Sequence, residues 1–258
     1  MGYRYSKVLY GGSNIGPGPN LVYIYNALVA AGWNINRWTP GSRINANYGS
    51  EHIEISTYDT FKARAYYCTG YDSGAAVGSQ PGSSPAVYFT WSLHTVGSYL
   101  TTQIQDSQIL LTGMGSNTNM GNTLFYGVIS QKIGLWNGGR ILVGDNNSSS
   151  SVLGPSIPNG CLFLEGSWVT GLYGTHANAG LLYSRPLSHT GATVLTPIMV
   201  CKNNTTDASL RHPIGYVSNL YQAQPTLFYE DGETILIGEV PYRWILANSS
   251  YWYLAKAA

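Results

Sequence analysis

Five histidines, 12 carboxylates and three cysteines are the groups in this 258-residue chain that could carry acid–base, metal or nucleophilic chemistry. His52, His94, His176, His189 and His212 occur singly. No H-x-x-x-H or H-E-x-x-H spacing sets two imidazoles on one metal, so they read as strand or loop histidines. The carboxylates cluster only at Glu230, Asp231 and Glu233, in "YEDGET". Two carboxylates facing across a cleft could cleave a glycosidic bond, whereas neighbours around an Asp-Gly step form a solvated hairpin turn. Cys68, Cys161 and Cys201 are far apart and odd in number, which excludes a C-x-x-C metal site and argues against a disulfide framework. They read as buried small hydrophobes in a reducing compartment. There is no G-x-S-x-G elbow, and no cysteine in a catalytic context. "YGGSNIGPGPN" looks superficially like a phosphate loop, but its two prolines remove backbone donors and no lysine follows. The expectation is a protein with no catalytic, metal or cofactor site, and no enzyme.

Charged residues make up 10% of the chain, against about 25% in ordinary soluble domains. The surface must therefore rely on Asn, Ser, Thr and Tyr, which suits a protein held by neighbours, the alternative being a secreted, lectin-like β protein. A formal net charge of +1 with no basic run leaves no electrostatic footprint for nucleic acid, so direct contact with DNA or RNA is not expected. No signal-peptide pattern and no run approaching 18 apolar residues is visible, so membrane association is not expected either.

The elements that would position any site are mostly strands. "NLVYIYNALVAAGW" predicts one helix, with Asn20 as N-cap, Leu21, Ile24, Leu28 and Ala31 on one face, and Gly32 at its end. Short apolar or alternating runs then follow: "HIEIS", "ARAYYC", "AVYFTWSL", "SQILLTG", "TLFYGVIS" and "RILVG". "CLFLEGSWVTGL" predicts a hairpin turning at "EGS". "TVLTPIMVC", "HPIGYVSNLYQ", "TLFYE", "TILIG", "YRWILA" and "YWYLA" complete about a dozen strands. Within "HPIGYVSNLYQ", Ile214, Tyr216 and Ser218 should share one face and Gly215, Val217 and Asn219 the other, if no bulge intervenes. Such a series predicts an antiparallel β sandwich or barrel-like fold with one N-terminal helix. The chain reads as a single domain, 1–258, with long loops near 71–85 and 145–160; the first, "SGAAVGSQPGSSP", reads as flexible.

Aromatic side chains are the remaining feature. Tyr and Trp supply contact area with a polar tip, as interface anchors and sugar-binding platforms do. "GYRYSKVLYGG" and "SSYWYLAKAA" are the densest exposed candidates. Tyr3, Tyr5, Tyr10, Tyr251, Trp252 and Tyr253, with the two polar loops, are the expected interface elements.

In chain order, "LVYIYNALVAAGWNINRW", "AVYFTWSL", "SQILLTG", "LFYGVIS", "LEGSW", "TVLTPIMV", "LRHPIGYVSNLYQ" and "GETILIGEVPYRWILANSSYWYLAKA" resemble a family of virion structural proteins. These are the neck or collar proteins at the head-to-tail region of tailed bacteriophages. "GYVSNLY" is similar to the family's late G-x-[LV]-x-G-[LV]-Y pattern, with Asn219 in place of the second glycine. The resemblance implies a non-enzymatic subunit, made in the host bacterial cytoplasm and present in the virion in many symmetric copies. Its partners would be other copies of itself and portal, adaptor or tail proteins. The alternative is a carbohydrate-binding receptor module or a capsid or tail decoration protein.

Overall fold

Pro17 opens the one described helix, α1 (Pro17–Ala30), where its missing N–H has no intrahelical partner to lose. The helix thus begins before Asn20, which is buried inside it instead of capping it. At the other end the expectation holds. Gly32 has φ +85, its N–H donates to Val29 O, and Trp33 N–H donates to Leu28 O, a Schellman closure. Leu21, Ile24 and Leu28 are fully buried, so packing offsets the weak helix propensity of the Tyr- and Val-rich sequence. The structure, a computed structural model, describes residues 4–9, 17–59, 62–90, 99–114, 121–144, 157–174, 196–203, 211–223, 230–248 and 251–257.

Five strands follow α1 and form one antiparallel sheet in chain order: β2 (Asn34–Thr39), β3 (Arg43–Tyr48), β4 (Glu51–Thr57), β5 (Lys62–Cys68) and β6 (Val87–Thr90). The other 12 strands form a second sheet. It starts with β1 (Arg4–Leu9), β7 (Tyr99–Gln105), β8 (Gln108–Met114) and β9 (Gly121–Lys132). It continues through β10 (Gly138–Val143), β11 (Ile157–Leu164), β12 (Ser167–Gly174), β13 (Thr196–Asn203) and β14 (Arg211–Ala223). It ends with β17 (Tyr251–Lys256), β16 (Val240–Asn248) and β15 (Thr234–Ile237), in that spatial order. The expected "EGS" hairpin is present between β11 and β12, and the fold is the expected mainly antiparallel β architecture. "TLFYE" lies largely outside the described residues.

One further pairing, between β9 and β14, closes β9 to β14 into an antiparallel barrel. Both strands are long enough to divide an edge. The first half of β9 pairs with β8 and its last residues with β14. The middle of β14, at Gly215, Tyr216 and Val217, pairs with β9 and its last residues with β17. Two leaves therefore leave the barrel, β8–β7–β1 and β17–β16–β15. They meet again through side chains: Lys7 Nζ lies 2.9 Å from Asp231, and the Arg243 guanidinium lies 4.7 Å from the Tyr5 ring centroid.

Period-two alternation sends each strand's apolar residues to two different cores. Leu110, Phe125, Ile129, Ile141, Val143 and Leu162 fill the barrel and the base of the cleft between the leaves. Their chain neighbours Ile109, Leu111, Leu124, Tyr126, Leu142 and Cys161 point outward and pack under α1 and the five-stranded sheet. All three cysteines are buried thiols.

The alternation expected for "HPIGYVSNLYQ" fails. Ile214, Val217 and Leu220, three residues apart, all join the barrel core. The β9–β14 register shifts between Tyr216 and Val217, and Asn219 takes a left-handed φ of +57. Each irregularity turns the strand about its axis, so one face is met at spacing three.

Candidate functional site

The first polar loop is a built structure. Residues 69–86 fold back over the outer face of the five-stranded sheet, where Arg43, Asn45 and Glu54 stand on β3 and β4. Arg43 donates to Ala75 O at 2.9 Å, to Ala76 O at 3.2 Å and to Glu54 Oε2 at 2.6 Å. Glu54, fully buried, also accepts from Asn45 Nδ2 at 3.0 Å and from Gly78 N–H at 2.8 Å. Gln80 closes the loop by bonding both backbone polar groups of Asp72, and Arg37 reaches Ser73 O. Trp168 of β12 donates to Gly82 O, tying the loop to the barrel as well. Reading this loop as flexible is therefore corrected: buried charges hold its backbone. The signal was present as Arg43 and Glu54 in alternating strands, but sequence alone reads such residues as a solvated face.

The expected interface residues have separate placements. Tyr3 and Tyr10 lie outside the described residues, as do residues 145–156 of the second loop; its remainder, 157–160, opens β11. Tyr251, Trp252 and Tyr253 belong to β17, an inner strand whose backbone pairs with β14 on one edge and β16 on the other. The backbone of the C-terminal aromatic segment is therefore part of the sheet. Tyr5 is half-buried between the leaves, under the Arg243 guanidinium and against Gly232, where an added Cβ would lie 2.6 Å from its hydroxyl. Burial pushes the Tyr5 phenol well up, with Asp231 adding to the effect and Arg243 opposing it.

The acidic turn is a tight turn, as expected: Glu233 N–H donates to Glu230 O, and Gly232 has φ +93. Asp231 is not solvated, however. Its side chain is 5% exposed and engaged by Lys7. His212 sits exposed on β14, and His52 is partly buried on β4, where burial lowers its pKa with Arg140 helping and Glu51 opposing. Among the described residues, no three His, Cys, Asp or Glu side chains gather to hold a metal.

Two protrusions expose apolar surface that sequence reading did not single out. At the β9–β10 turn Leu135 is 106% exposed, with Ile133 exposed beside it. The turn is stiff: Trp136 Nε1 donates to Ile133 O, and Lys132 bonds Trp136 O while its ammonium sits 4.6 Å from the Trp136 ring centroid. Asn137 and Glu165 join this turn to the β11–β12 turn by two hydrogen bonds. The second protrusion is the edge strand β15, where Leu236 is 71% exposed, flanked by Glu233 and Glu239. A stiff loop tip and an edge strand bearing apolar side chains can bind a surface. No known protein family matches the chain, and no curated protein matches it.

Proposed function

We propose that this chain is a non-enzymatic structural subunit of a tailed-bacteriophage virion, a neck or collar protein that stabilises the head-to-tail joint through symmetric contacts. The observation that carries the reading is the exposed apolar tip at Ile133 and Leu135, held rigid on a chain of which only 10% is charged. A large apolar side chain fully exposed on a stiff turn supplies binding free energy when a neighbour covers it. Repetition around a symmetry axis multiplies such a modest contact. The loop pinned by Arg43 and Glu54 supports the same reading, because a preordered surface loses little entropy on docking.

The test is assembly. Purified protein at micromolar concentration should form rings or bind portal complexes, scored by light scattering after size exclusion and by negative-stain images. A stable monomer without affinity for any virion component would sink the proposal. Saturable binding on a glycan array would favour the receptor reading instead.

A further inference from the structure

Between the two leaves lies a group of buried polar atoms with no partner in the protein. Gln103 on β7 is 1% exposed, and neither its carboxamide oxygen nor its nitrogen makes a hydrogen bond. Directly across the ladder from it is Tyr5 of β1, whose buried hydroxyl is likewise without a partner. Over the Tyr5 ring stands Arg243 of β16, and its Nε is also unpartnered. Three separate strands thus bring unmet hydrogen-bonding groups to one place. Residues directly opposite on a ladder have Cβ atoms roughly 5 Å apart, so the Gln103 and Tyr5 side chains leave the sheet side by side on one face.

The surroundings fix what that molecule can be. Leu110, the β8 register partner of Gln103, and Ile245 and Ala255 from the opposite leaf form an apolar floor. On the flanks polar pairs are already complete: Thr101 with Thr112, and Asn219 with Gln105. The Lys7–Asp231 pair and Gly232 close the rim. The unmet set comprises donors at Gln103 Nε2 and Arg243 Nε, an acceptor at Gln103 Oε1, and the Tyr5 hydroxyl, which can act as either. An anion would satisfy only the donors. A cation would leave the donors unmet and sit against the Arg243 guanidinium. A molecule with two donors and two acceptors matches all of them, and the close approach of Gly232 to Tyr5 argues for a small one. Buried polar groups in proteins are bonded to protein or to ordered water, and a buried water takes two to four such partners.

We infer that ordered water bridges Gln103, Tyr5 and Arg243, so that the β1–β7–β8 leaf closes on the β15–β17 leaf through a hydrated seam. The two leaves are then joined at the rim by replaceable hydrogen bonds beside the Lys7–Asp231 ion pair and the Arg243–Tyr5 contact, and by apolar packing at the base.

Oxygen-17 magnetic relaxation dispersion on the full chain counts long-lived internal waters. Gln103→Met keeps the shape of the side chain and removes both polar ends. The expected result is a dispersion amplitude lower than wild type by at least one long-lived water. An unchanged amplitude overturns the inference. Tyr5→Phe removes one hydroxyl from a partly exposed ring and tests the seam even if Gln103→Met does not fold. With a water present, the melting temperature falls because that water loses a partner. In a dry seam the change deletes an unmet polar group, so an unchanged or raised melting temperature also overturns the inference.

Discussion

Arg43 and Glu54 on one side of the molecule, and Gln103, Tyr5 and Arg243 on the other, are two solutions to the burial of polar groups. In the first, Glu54 accepts from Arg43, Asn45 and Gly78, while Arg43 also spends donors on two loop carbonyls. In the second, four polar atoms meet no protein partner. The clamp pairs both of its charged groups within the protein and orders residues 69–86, leaving only Arg43 Nε and Asn45 Oδ1 without a partner; none of the seam's four atoms is bonded to protein. A buried ion pair is costly to leave unmatched, so the clamp bonds its carboxylate and guanidinium to each other and to protein, whereas single polar atoms such as those of Gln103, Tyr5 and Arg243 Nε can be completed by solvent.

The largest test of that difference is Glu54→Ala. It strands the Arg43 guanidinium in the interior and should destabilise by about 3–5 kcal/mol in denaturant unfolding. Limited proteolysis should then cut within residues 69–86. The double variant Arg43→Met with Glu54→Leu should recover most of the loss, because it removes both charges together. On the seam side, Lys7→Ala leaves Asp231 buried without its ion pair and should cost about 1–3 kcal/mol by the same measurement. An equal loss at the two sites would erase the distinction between them.

Alkali should weaken the clamp face next. Burial pushes the Cys68 thiol, beside Ser83, up to about 12 from 9.0. The fold thus favours the protonated thiol, and its contribution is complete below pH 9 and is lost as pH rises toward 12. Cys68→Ala should flatten the pH dependence of unfolding over that window. The smallest effect concerns His52, whose lowered pKa means that the folded state favours the neutral ring. Stability should decline as pH falls below the ordinary histidine value of about 6.5, less so in His52→Gln.

The local elements were legible because each is specified by a short pattern. Gly32 ends α1 where a left-handed residue is needed, and Glu165 and Gly166, with φ +48 and +83, turn the β11–β12 hairpin. Strand alternation in β8 was readable too, although nothing in "SQILLTG" tells which core each face meets. The candidate site was far less legible. Arg43 and Glu54 are 11 residues apart, and the carbonyls that Arg43 holds lie in a loop more than thirty residues away, so no local pattern joins them. The aromatic ends were read as interface candidates because aromatics at chain ends look available; that Tyr5 lies in β1 and Tyr251, Trp252 and Tyr253 in β17, both strands of the large sheet, depends on distant pairings. Leu135 was passed over because one leucine between glycines and a tryptophan carries no periodicity.

By itself the sequence determined that the chain is antiparallel β with one early helix, since period-two runs, turn residues and the helix stop all act within a few neighbours. Only the tertiary structure decided that β9 and β14 each divide an edge, closing a barrel and leaving two leaves to meet. That choice depends on pairings between residues such as Tyr216 and Gln131, 85 positions apart. The bulge that brings Val217 inward follows from the same closure: a strand bonded to β9 at its middle and to β17 from Leu220 onward must turn between them.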